Sequence, residues 1–200
     1  MDMGCHAIQF FRWMLGRVPI TSVYAQMGTH VHTGKTGGDD NAILILEFAN
    51  GAMGLAEDSW TKLGGMDDRA EVHGSKGVAY ADLLHGNAIT AYSAGGYDYA
   101  VEKAGSTVGW SFPIYEEIWN YGFVQEMAHF VDCVKHDKQP LVTGEDARVV
   151  METLFAAYES AGTGRKVSLP FKTDAAKPFD LWRRKALNSE SPEAPSQRRD

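Results

Sequence analysis

Ala42-Ile43-Leu44-Ile45-Leu46, then Asn50-Gly51, then the segment from Leu55 to Trp60 decides the fold class. An unbroken apolar run of strand length, an Asn-Gly pair and a second strand-length segment form the strongest short-range hairpin signal a sequence carries. Working outward, Val23, Ala25 and Met27 alternate with polar positions ahead of it. Behind it, Ala70-Glu71-Val72-His73 and Val78-Ala79-Tyr80-Ala81 flank Gly74-Ser75-Lys76-Gly77, a second hairpin. Asn87 to Tyr92 supplies one more short strand. Turns this tight predict mainly antiparallel pairing, because parallel strands need long crossovers.

The strands are bracketed by helical patterns. Residues 5–16 read as a helix, with Ile8, Phe11 and Leu15 in one stripe and Gly16 as its stop. Residues 94–116 are rich in Gly, Tyr and Trp without a period and read as a long loop, a kind that is often functional. Ile118 to about Lys135 is a second helix. Thr143-Gly144-Glu145-Asp146 opens a third, which Gly162 and Gly164 stop. Arg165 to Phe171 alternates as a final strand. The pattern is that of an α+β domain over residues 1–183, an open, mainly antiparallel mixed β-sheet with helices packed on one face. A polar tail follows over 184–200, its Ser, Pro, Glu, Gln and Arg composition plainest from Asn188, and it is expected to be disordered. Trp60, Val72, Tyr80 and Tyr92 suggest apolar surface on the sheet's other face, which a second copy of the chain would bury; sedimentation as a monomer at micromolar concentration would remove that expectation.

Composition excludes several function classes. A net charge of −7 argues against nucleic acid or an anionic membrane as the main partner. No apolar stretch approaches the roughly 18 residues of a membrane helix, and the run after His6 lacks a signal peptide's basic lead. Two cysteines, Cys5 and Cys133, cannot build a disulfide framework and suit a reducing compartment, so the expected location is the cytoplasm.

Asp2 and His6, four residues apart, share one helical face. A carboxylate there can orient and polarise an imidazole for proton transfer, or it can simply offset the helix dipole beside a buried ring. Gly34-Lys35-Thr36 lacks the glycine a phosphate-binding loop needs five positions earlier, where Thr29 stands. His30 and His32 share a strand face near Asp39 and Asp40, but two histidines without a third fixed ligand read better as a solvated strand end than as a metal site. The aromatics between Trp110 and Tyr121 can wall a polar ring such as a sugar or can be core. No G-x-G-x-x-G occurs anywhere in the chain.

The opening D-M-G-C-H-A-I-Q-F-F-R-W-M-L-G resembles the helix that follows the nucleotide domain in the Gfo/Idh/MocA oxidoreductases. Q-E-M-A-H-F-V-D-C-V, P-L-V-T-G-E-D-A-R and A-A-Y-E-S-A-G-T-G-R-K-V-S-L-P-F resemble that family's closing helix pair and edge strand. D-D-N-A-I-L-I-L-E-F-A-N-G and E-V-H-G-S-K-G-V resemble its sheet hairpins, and the likeness covers about residues 1–171. The resemblance implies the C-terminal substrate-binding and oligomerisation domain of an NAD- or NADP-dependent dehydrogenase acting on a sugar, inositol or similar polyol. Asp2 and His6 match the family's D-x-x-x-H, which implies His6 as acid/base at the substrate hydroxyl and Asp2 as the group that orients it. Trp110, Tyr115 and Trp119 are candidate substrate contacts. The N-terminal Rossmann domain, with its glycine fingerprint and E-K-P lysine, is absent from these residues. The expectation is therefore a chain that binds no dinucleotide alone, is inactive alone, and forms a homo-oligomer through its sheet. The alternative is a non-catalytic binding or oligomerisation module that retains the fold.

Overall fold

The computed structural model describes residues 2–35, 37–63, 67–83, 91–96, 106–111 and 117–189. They divide into two compact units, one built from residues 1–61 and 142–200, the other from 62–141.

The first unit contains α1 (Asp2–Met14), β1 (Ile20–Gly28), β2 (Asn41–Phe48) and β3 (Met53–Ser59). The expected Asn50-Gly51 turn joins β2 to β3, with Gly51 at φ 83° and the Gly51 N–H donating to the Phe48 carbonyl. In the register, Val23 faces Leu46, Ala25 faces Leu44 and Met27 faces Ala42, and all six are buried. The alternate positions Tyr24, Ile43, Ile45 and Leu55 are exposed. Period-2 alternation thus sorts one face inward and leaves the other outward.

In the second part of the chain, α4 (Gly144–Thr163), β8 (Val167–Ser168) and α5 (Pro178–Ser189) complete the first unit. The sheet order is β3-β2-β1-β8, open at both edges, and every pairing described is antiparallel. Helices α1 and α4 cover its inner face, where Ile8, Val23, Leu44, Leu46 and Leu154 are essentially inaccessible to water. Each such side chain contributes roughly 1.5–3 kcal/mol by its burial. This is the α+β arrangement expected, with helices on one face.

Among its described residues the second unit holds two strand pairs and two helices: β4 (Arg69–Gly74) with β5 (Gly77–Asp82), β6 (Ala91–Ser93) with β7 (Gly109–Ser111), α2 (Glu117–Asn120) and α3 (Phe123–His136). In α3 the buried Cys133 lies against the His129 ring, and His129 Nε2 accepts the Leu141 N–H at 3.0 Å. Both side chains are structural.

Five details differ from expectation. The first helix starts at Asp2 and ends at Met14, with Gly16 and Arg17 both at positive φ. The 94–116 segment is not all loop, because Gly109–Ser111 pairs with Ala91–Ser93 and sets Trp110 opposite Tyr92, rings 5.4 Å apart. So short a strand has no internal period, and its pairing is set across the chain. The helix expected over 118–135 is two, broken where Gly122 takes φ 81°, a conformation that costs glycine little. The last strand is only Val167–Ser168, since Pro170 has no N–H to extend the ladder. Finally α5 runs to Ser189, past the expected boundary at 183; the rest of the tail, and Asn87 to Thr90, lie outside the described residues.

Candidate functional site

The orientation of α1 is set at its far end. Asp146, in the first turn of α4, accepts from the Thr143 N–H at 3.0 Å and its hydroxyl at 2.9 Å, while Thr143 Oγ1 accepts the Asp146 N–H. This is a reciprocal capping box. The same carboxylate accepts from Arg12 Nη2 at 2.8 Å and from Arg17 Nε at 3.0 Å. Arg12 and Asp146 are both buried. The Thr143 backbone bond, then its hydroxyl and the arginines, outweigh burial and hold the Asp146 carboxyl down at about 2. A buried ion pair in which Arg12 donates to a carboxylate fixed by its own capping box holds the rotation of α1 about its axis, and with it the direction of Asp2 and His6.

The N-terminal half of α1 lies close over β3. A Cβ added at Gly4 would sit 3.2 Å from Asp58 Oδ2 and 3.5 Å from Leu154 Cδ2. Asp58 faces inward from β3, opposite Ala42, and its Oδ2 is buried with no hydrogen-bond partner. Burial raises its carboxyl above the ordinary value; the nearby negative charge of Asp39 adds to the rise and His6 opposes it. Asp39 accepts a hydrogen bond from the Tyr158 hydroxyl on α4. Burial, then that bond and charge, push the phenol well above its ordinary range, so Tyr158 is a donor.

Between these elements lies a cleft of about 310 Å³ lined by Asp2, Asp39, Asp58, Trp60, Tyr158 and Phe179, with Met3, Pro178, Asp40 and the Gly37-Gly38 turn at its margins. All belong to the first unit. Asp2 thus borders a polar cleft with aromatic surfaces, and His6 stands exposed one helical turn along. The carboxylates accept, and the Tyr158 oxygen, whose proton is given to Asp39, can accept as well, a set suited to the donating hydroxyls of an uncharged polyhydroxylated ring.

Of the residues singled out from the sequence as a site, Asp2 lines this cleft and His6 does not. Trp110 and Trp119 belong to the second unit and are not among the cleft's lining residues; Tyr115 lies outside the described residues. The aromatic side chains that do line the cleft are Trp60, Tyr158 and Phe179. The sequence suggests Trp60 for the sheet's other face, whereas it lines this cleft, and singles out neither Tyr158 nor Phe179 as a site residue. Asp39, Asp58 and Tyr158 are brought together by the fold alone.

The His30, His32, Asp40 cluster is a loop clasp. Asp40, buried, accepts the N–H groups of His30, Val31 and His32 at 2.8, 2.8 and 2.9 Å. Burial opposes ionisation, but those backbone bonds win and hold its carboxyl far below the usual range. Among the described residues no group of His, Cys, Asp and Glu could hold a metal ion. No described helix is long and apolar enough to cross a membrane.

A dinucleotide site of the usual kind needs a strand, a glycine-rich turn and a helix in one parallel unit. The sequence has no G-x-G-x-x-G and every pairing described is antiparallel. The residues present do not fit that group.

A family model, the oxidoreductase family C-terminal alpha/beta domain, matches residues 1–169. The chain is 30% identical over 174 residues to scyllo-inositol 2-dehydrogenase (NAD(+)) of Bacillus subtilis strain 168, covering 86% of this chain and 48% of that protein. It is 28% identical over 171 residues to myo-inositol 2-dehydrogenase of Thermotoga maritima, covering 84% and 48%. Among solved structures, GenD2 from gentamicin A biosynthesis in complex with NAD superposes with a TM-score of 0.78 at 36% identity, covering 85% of this chain and 47% of that one. The chain spans about half the length of the curated relatives it matches. With the helix, sheet and closing helix all in that family's order, the chain belongs to the Gfo/Idh/MocA oxidoreductases and corresponds to their C-terminal α/β domain.

Proposed function

We propose that this chain is the substrate-binding and catalytic half of an NAD- or NADP-dependent dehydrogenase that oxidises a hydroxyl of inositol, a sugar or a related polyol. The observation that supports the reading is that Asp2 lines a polar, aromatic-walled cleft, with His6 exposed one helical turn along α1. In this reading His6 takes the proton of the hydroxyl being oxidised, and Asp2, one turn back on α1, orients the imidazole. Positioned proton transfer of this kind is worth about 10²–10⁴-fold in rate. The inositol dehydrogenases among the relatives support the substrate class. The dinucleotide chemistry comes from a separate domain, so the chain is inactive alone. The outward sheet face with Tyr24, Ile43, Ile45 and Leu55 exposed supports a homo-oligomer, which sedimentation of the purified chain tests.

Two measurements test the site. The 200-residue chain, given NAD or NADP with myo-inositol, scyllo-inositol or glucose, is expected to form no reduced dinucleotide; formation would overturn the inactivity of the isolated chain. In an NMR titration with the same polyols, the His6 ring resonances are expected to shift saturably, and the shift is expected to shrink in Asp2→Asn. No shift with any of them would overturn the assignment of His6.

A further inference from the structure

The family model ends at residue 169, yet Pro178 and Phe179 line the cleft beside Asp2. We infer that α5, which lies beyond the matched region, is a built wall of the polyol cleft and that Phe179 is a specificity-determining residue within it. The inference rests on the polyol reading above and names the element that would select among such ligands.

The wall is fastened from several sides. On α4, Gly162 lets α5 approach so closely that an added Cβ would lie 2.4 Å from the Leu181 carbonyl oxygen and 2.9 Å from Trp182 Cα. Leu181 is only 2% exposed, and Phe179 and Trp182 pack against the core. On the other side, the Arg183 guanidinium lies over the turn that precedes Asp39, where a Cβ on Gly37 would be 2.7 Å from Nη2. Arg183 Cζ and Lys177 Nζ also lie over the Phe179 ring, each 5.7 Å from its centroid. Cations at that distance are attracted to the ring face and help hold its plane. A helix merely trailing from the domain would have none of these contacts.

The chemistry of the lining fits the assignment. A cyclic polyol is polar at its rim and apolar on its C–H faces. Asp2, Asp39, Asp58 and Tyr158 supply hydrogen-bonding groups, while Phe179 and the 62% exposed Trp60 supply apolar surface. At about 310 Å³ the cleft is at the small end of ligand sites, which suits a single-ring polyol.

The test is binding of myo-inositol and scyllo-inositol to the full 200-residue chain by calorimetry, for the wild type, Phe179→Leu and Phe179→Trp, with amide hydrogen exchange across 177–183. Expected are a Kd raised about tenfold or more in F179L, near wild-type affinity in F179W, and slowed exchange in α5 on addition of myo-inositol. Wild-type binding with F179L unaffected and no protection of α5 would overturn the wall and leave the polyol reading standing. Failure of the wild type to bind either inositol would overturn both. Should F179L melt early, protection of α5 in the wild type decides: present it supports the wall, absent it overturns it.

Discussion

Replacing Gly162 by alanine pits helix propensity against a backbone contact within one substitution. In an open helix, glycine to alanine stabilises by about 1 kcal/mol. Here the new Cβ would meet the Leu181 carbonyl oxygen at 2.4 Å, Trp182 Cα at 2.9 Å and the Leu181 carbonyl carbon at 3.1 Å. All are main-chain atoms, which cannot swing aside as a side-chain tip can. Helix α5 must retreat by roughly 1 Å, and a gap of 0.5–1 Å forfeits about a quarter to a half of the dispersion attraction across it. Overpacking of this kind costs about 1–3 kcal/mol, so G162A is expected to lose up to about 2 kcal/mol overall. Gly144, at the start of the same helix, provides the comparison: an added Cβ there meets nothing within 4 Å. G144A is expected to gain a few tenths to about 1 kcal/mol. Urea denaturation of the two variants beside the wild type reads the difference, with the propensity term common to both. Equal stabilisation by G162A and G144A would refute the close approach of α5 to α4.

Two carboxylates should respond to pH with opposite signs. Asp146 has a folded value of about 2 against 3.8 ordinarily, so its contribution is complete above pH 3.8 and disappears as pH falls through about 2. Asp146→Asn is expected to flatten acid unfolding in that window and to cost about 3 kcal/mol at neutral pH, because Arg12 is left buried without its charge partner; an unchanged acid limb would contradict this. Asp58 is raised by burial, so its contribution is present below 3.8 and is lost as pH climbs through the folded value. Asp58→Asn should therefore gain stability relative to the wild type between pH 4 and pH 7, and denaturation curves that shift equally at both would count against a buried carboxylate at that position.

The sequence by itself determined the strand pattern, the Asn50-Gly51 hairpin, the helix opening at Thr143 and the four-residue spacing of Asp2 and His6 on one helix. Each of these is local: a period of two or 3.6, a turn pair, a cap, or a four-residue spacing on one helix. Only the tertiary structure decided what stands around that pair. Asp58 points at α1 because its register opposite Ala42 turns it inward, Asp39 meets Tyr158 across more than a hundred residues, and Phe179 reaches the cleft because Gly162 admits α5 against α4. The break at Gly122 and the pairing of Gly109–Ser111 were also beyond local reading, since they depend on a positive φ and on a partner strand. Periodicity reports which face of an element is buried. It carries no information about which other element buries it, and the walls of this cleft come from five separate segments of the chain.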